Sequence, residues 1–168
     1  MGSGKSSVGK IVAKKIGFRF IDLDTYIESQ QDMTIKDIFR TKGEDYFRSV
    51  ENEILQIFSL EENLIIATGG GCPCFFDNMN WMNDHGITLY LNAPPEMLYS
   101  RLLAEKKSRP LIEKLSDMQL MEYILDVFPE RNNFYEKSKL TIDIKQETPE
   151  QLADKMISVL EMINPIND

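Results

Sequence analysis

The chain has 168 residues, 42% hydrophobic and 27% charged, the make-up of a single domain over 1–168 with apolar material for one core. A net charge of −8 sets the surface against nucleic-acid backbones and anionic membranes, while cations gathered in one cleft still admit an anionic ligand. No apolar run has the length of a membrane span and no charged-then-apolar leader opens the chain, so a cytoplasmic protein is expected.

Gly2-Ser3-Gly4-Lys5-Ser6-Ser7 heads the chain and runs into a helix expected over 8–15, stopped by Gly17. A short strand is expected over 18–23, carrying Asp22 and Asp24 at its end. Thr34 to Asp37 has the form of an N-cap opening a helix. A long amphipathic helix is expected from 44 to about 60, with Phe47, Val50, Ile54, Ile57 and Phe58 inward. A buried strand over 64–67 leads into Thr68-Gly69-Gly70-Gly71. Cys72 and Cys74 flank Pro73, too close for an unstrained disulfide, and read as reduced thiols. Another strand is expected over 87–91, then a helix from Pro94-Pro95 through Leu103. Residues 104–117 are charged and aperiodic and read as a mobile loop. A helix over 118–137, interrupted at Pro129, a strand over 140–144 and a helix over 149–163 close the chain.

Strands alternating with helices predict an α/β fold of three layers, α/β/α, around a central parallel sheet. Right-handed crossovers bring the strand C-termini to one edge, where ligands bind. Gly4, the two aspartates and the three glycines all fall on that edge.

Gly4-Lys5-Ser6 is the second half of the phosphate-loop pattern G-x-x-x-x-G-K-[ST]. In such a loop the backbone turns its N–H groups to the phosphates, Lys5 reaches the β/γ oxygens and the Ser6 hydroxyl meets Mg²⁺. The helix that follows points its positive end at the same anion. Asp22 and Asp24 read either as one metal partner and one acceptor-facing carboxylate, or as a solvated capping pair with Asp24 as cap. Arg48, Arg101, Arg109 and Arg131 are the cations to place; each suits a planar carboxylate or a surface ion pair, and Glu51 stands three residues from Arg48. Three successive glycines exceed what a turn requires and suggest close approach of backbone to a ligand.

Taken together, Gly2-Ser3-Gly4-Lys5-Ser6, Asp22-Leu23-Asp24 with Ile27-Glu28, Phe47-Arg48-Ser49-Val50-Glu51, Ile65-Ile66-Ala67-Thr68-Gly69-Gly70-Gly71, Arg109-Pro110-Leu111, and Arg131 four residues before Tyr135 resemble shikimate kinase, a P-loop kinase family of the nucleoside-monophosphate-kinase fold. The resemblance spans essentially the whole chain. It implies transfer of phosphate from ATP to the 3-hydroxyl of shikimate on the route to aromatic amino acids, with Mg²⁺ as cofactor, ATP and shikimate as partners, and a monomer. It implies Asp24 as base on the ring hydroxyls, Arg48 and Arg131 on the carboxylate, and Gly69, Gly70 and Gly71 against the ring. Ser6 and Asp22 would serve the metal. Gly2 to Ser7 would hold the nucleotide with Arg101 near the adenine, and Arg109 would reach the phosphates from a lid over 104–117. Gluconate or nucleotide kinases of the same fold, and a non-catalytic metabolite-binding protein, are the competing readings. The family's first strand and first loop glycine would fall ahead of Met1, so a longer protein with roughly ten more residues is also expected.

Overall fold

The computed structural model describes residues 2–106 and 112–163. Helix α1 (Lys5–Ile16) starts at a left-handed Gly4 and ends at Gly17, with Val8, Val12 and Ala13 buried on one face. Strand β1 (Arg19–Asp22) follows and gives way directly to α2 (Leu23–Gln31). Helix α3 (Ile35–Ile57) opens on Thr34, whose side chain accepts the Asp37 N–H, and breaks at Gly43 (φ 85°, ψ 172°). The N-cap read at Thr34 and the long helix read from 44 are therefore two arms of one element.

Strand β2 (Leu64–Ala67) runs into the glycines. A short turn of 3-10 helix at Cys72–Cys74 and α4 (Asn78–His85) come next. Both cysteines are free thiols, Cys72 buried. Then follow β3 (Leu89–Asn92), α5 (Pro95–Glu105), α6 (Asp117–Tyr135), β4 (Leu140–Asp143) and α7 (Pro149–Ile163). Helix α6 runs through Pro129 rather than being interrupted there. A proline inside a helix costs about 3 kcal/mol, and two features act against that cost: a capping box between Ser116 and Gln119, and the burial of Leu120 and Ile124.

The parallel sheet comes in two halves. β1 pairs with β2 from Arg19↔Leu64 to Asp22↔Ala67, and β3 pairs with β4 from Leu89↔Leu140 to Asn92↔Asp143. Among the described residues no strand joins β2 to β3. Between the halves lies a cleft of about 600 Å³, walled by Ile65 and Ile66 on one side and Leu89 and Leu91 on the other. The core is divided in the same way. One cluster gathers Val8, Val12, Leu91, Ile142 and Leu152 around α1, β3, β4 and α7, and another gathers Ile21, Ile27, Ile38, Phe47 and Leu55 around β1, α2 and α3. The first turn of α1, the end of β1 and the segments that follow β2 and β4 line one cavity, and the candidate residues meet there. Among the described residues no helix is long and apolar enough to cross a membrane.

Candidate active site

Gly4 adopts φ 89°, which glycine enters without steric cost, and its carbonyl accepts the Val8 N–H at 3.0 Å. No side chain caps α1 and no acidic residue stands in its first turn, which suits this helix end to an anion. This helix end opens on a cavity of about 810 Å³ lined by residues 2–8. Arg101, from α5, donates to the Gly2 carbonyl at 3.1 Å, which sets it beside the loop.

The two aspartates divide their tasks. Asp22, not Asp24, caps α2: one carboxylate oxygen accepts the Thr25 N–H at 3.2 Å, and the other accepts the Ser6 hydroxyl. Asp24 sits inside the first turn of α2. Burial pushes its carboxyl above the usual range and neighbouring Asp22 adds to this, while Lys5 and Arg48 act the other way. A carboxylate raised in this manner is a better proton acceptor near neutral pH.

Arg48 is buried and clamped. Its guanidinium donates to Glu51 at 2.7 Å and to Glu44 at 2.9 Å, between the rings of Phe75 (4.3 Å) and Phe47 (5.0 Å). Burial works against its charge, and the two glutamates more than offset that, so its pKa is raised. Glu51 is 0% exposed, and burial pushes its carboxyl up to about 7 despite Arg48. One oxygen, Oε1, has no hydrogen-bond partner. The glycine turn follows from this crowding. A Cβ at Gly71 would stand 2.5 Å from Arg48 Nη2, and one at Gly69 would stand 2.9 Å from both Asp24 and Glu51. The expected close approach is thus first of all an approach to the protein's own charged side chains.

Arg131, on α6, enters the same cavity from the opposite side. In a chain of net charge −8, Lys5, Arg48, Arg101 and Arg131 converge on one space, together with Asp22, Asp24 and Gly69, Gly70 and Gly71. Every candidate from the sequence is brought together there except Arg109, which lies outside the described residues. Sequence reasoning missed Phe39, which lines the cavity with Phe47, and gave no role to Glu28, whose carboxylate accepts the Ile35 N–H at 2.8 Å to tie α2 to α3. It also left without a role Tyr135, whose hydroxyl donates to the Gly70 carbonyl at 2.5 Å.

The Ser6 and Asp22 oxygens lie side by side, a small oxygen donor set of the kind that suits a hard divalent cation keeping most of its water. Among the described residues no group of three or more His, Cys, Asp or Glu is placed to hold a metal ion.

A family model described as shikimate kinase matches residues 1–161. The shikimate kinase of Azobacteroides pseudotrichonymphae is 40% identical over 158 residues, covering 94% of this chain and 93% of the relative. That of Phocaeicola vulgatus is 42% identical over 139 residues, 83% of this chain and 79% of the relative. Among solved structures, shikimate kinase from Bacteroides thetaiotaomicron superposes with a TM-score of 0.89 at 36% identity, covering 96% of this chain and 94% of that one. Shikimate kinase from Acinetobacter baumannii in complex with shikimate gives 0.86 at 31% identity, covering 98% and 90%.

Proposed function

The chain belongs to the shikimate kinase family, and from that premise we propose that it moves the terminal phosphoryl group of ATP to the 3-hydroxyl of shikimate. One observation carries the reading: Asp24 and the clamped Arg48 share one cavity with the phosphate-type loop, across the Gly69-Gly70-Gly71 turn. A base, a carboxylate receptor and an anion cradle therefore face a common space. A ring bearing one carboxylate and several hydroxyls meets all three.

In this reading Arg48 and Arg131 hold the acceptor's carboxylate, and the glycine turn lies along its ring. Two guanidiniums suit a carboxylate because each offers a planar fork of donors. Asp24 takes the proton of the 3-hydroxyl as its oxygen bonds to the γ-phosphorus. The bond from that phosphorus to the β–γ bridging oxygen breaks, and ADP leaves. The N–H groups at the start of α1, with Lys5, balance the charge on the transferring group. Ser6 and Asp22 would hold Mg²⁺, which supplies charge neutralisation on the phosphates. Residues 2–7 with Arg101 take the nucleotide, and Arg101 lies nearer the loop backbone than an adenine contact alone would require. The reading extends to Arg109 as a phosphate contact on a lid over 104–117, in a single-domain, monomeric enzyme of the cytoplasm. The net charge of −8 supports a protein with no nucleic-acid or membrane partner.

A coupled assay of ADP release tests the assignment. Shikimate is expected to be turned over with a higher kcat/KM than gluconate or a nucleoside monophosphate. A better acceptor among the latter two would transfer the site to another kinase class. Binding of ATP and shikimate by calorimetry with no turnover in Mg²⁺ would make the protein a binder only.

A further inference from the structure

Helix α6 carries Arg131 and Tyr135 one turn apart, so both project from the same face. The Tyr135 hydroxyl donates to the Gly70 carbonyl at 2.5 Å, across 65 residues of sequence. The Arg131 guanidinium stands close enough to favour the ionised form of that phenol, against the burial that disfavours it. One side chain thus lies between the cation and the glycine turn, with its hydroxyl bonded to the turn. The ring packs against Tyr90, tilted by 38° at 5.0 Å between centroids, and the Tyr90 hydroxyl reaches the side-chain carbonyls of Asn92 and Asn132.

The glycine turn needs such a restraint. Three consecutive glycines have more backbone freedom than any other tripeptide; the Cys72 N–H closes the turn on the Gly69 carbonyl at 3.2 Å, and the Tyr135 hydroxyl holds the Gly70 carbonyl. A peptide unit is planar, so holding the Gly70 carbonyl on Tyr135 turns the Gly71 N–H to the opposite side. We infer that Tyr135 is a specificity-determining positioning residue, its hydroxyl setting the spacing between the Arg131 guanidinium and the Gly70–Gly71 peptide and so favouring an acceptor with a carboxylate on its ring. Burial pushes this phenol up to about 12, which keeps it protonated and donating throughout the working range. The inference rests on the proposed acceptor site and adds to it a residue that touches neither substrate.

Tyr135→Phe keeps the ring and its contact with Tyr90 and removes only the hydroxyl that holds the Gly70 carbonyl. The expected result is a shikimate KM raised roughly five- to tenfold, as for loss of a buried hydrogen bond in the ground state, with the ATP KM and kcat within about twofold. Preference for shikimate over the analogue lacking its carboxylate should shrink by a similar factor. An unchanged shikimate KM, or a fall in melting temperature with both KM values moving together, overturns the positioning role. Arg131→Ala separates the two levels of argument. If it leaves the shikimate KM unchanged, the acceptor-site reading fails and this inference falls with it. If it raises that KM while Tyr135→Phe does not, only the inference falls.

Discussion

Two voids of similar size lie side by side in this protein, and they differ in what most of their walls are made of. The cleft between the sheet halves, about 600 Å³, is walled by Ile65, Ile66, Leu89 and Leu91. The neighbouring cavity, about 810 Å³, gathers five cations (Lys5, Lys36, Arg48, Arg101 and Arg131), two aspartates and a buried glutamate. Ser3, Gly69, Gly70 and Arg131 border both. Volume alone therefore does not mark a site. Convergent charge held in place by burial does, because a guanidinium fixed by Glu51 and Glu44 needs no reorganisation when an anion arrives. The apolar cleft instead divides the hydrophobic interior and leaves the facing edges of β2 and β3 without strand partners among the described residues.

The largest expected effect lies in the polar cavity. Asp24→Asn is expected to lower kcat by about a thousandfold, within the usual range for a general base, while ATP affinity by calorimetry changes by less than about twofold. Normal turnover would return Asp24 to a purely structural position. Next comes Arg48→Ala, which should raise the shikimate KM roughly a hundredfold and lower stability by about 3 kcal/mol, because it strands the buried Glu51 carboxylate. A double change, Arg48→Met with Glu51→Leu, should regain most of that stability in urea titrations without regaining shikimate affinity. If both return together, the pair is not a binding device.

A third contrast uses pH. Glu51 titrates near 7 in the folded protein against an ordinary value of 4.5. The folded state therefore holds the extra proton between these values, and stability falls as pH rises through that window, by on the order of 3 kcal/mol. Melting temperatures measured from pH 4.5 to 7.5 should decline, and Glu51→Gln should flatten the decline. The smallest effect belongs to the cleft. Ile27→Ala, in the closed core around α2, should cost about 3 kcal/mol. Ile65→Ala, on the cleft wall, should cost about 1 kcal/mol, because that side chain already lacks neighbours on one side. Equal costs in chemical denaturation would mean that the cleft is filled in solution.

Much of this arrangement was legible in the sequence where a residue's role depends on near neighbours. β2 falls on the expected residues, Leu64–Ala67, because it is a short apolar run before a glycine turn. The Thr34 cap and the loop at Gly4 are local patterns too. Helix α4 was missed because Asn78–His85 is rich in Asn and Asp and buries only two residues, so it lacks an apolar period. α3 was read as a helix opening at Thr34 and a second one from 44, and the structure joins these two pieces across a non-helical Gly43. In the site, the Arg48–Glu51 spacing was visible, but nothing in the sequence marks Glu51 as wholly buried with one oxygen unpaired. The contact between Tyr135 and Gly70 joins residues that only the fold brings together.

Gly71 has a consequence for inheritance. Any single-base change in a glycine codon that encodes a different amino acid adds at least a Cβ, and here that atom would stand 2.5 Å from Arg48 Nη2. The guanidinium cannot swing aside without losing Glu51, Glu44 and the Phe75 face. The usual one-step mutations at this codon should therefore leave a folded protein that has lost its grip on the acceptor. A lineage that still needs the reaction has no short mutational path away from glycine at this position.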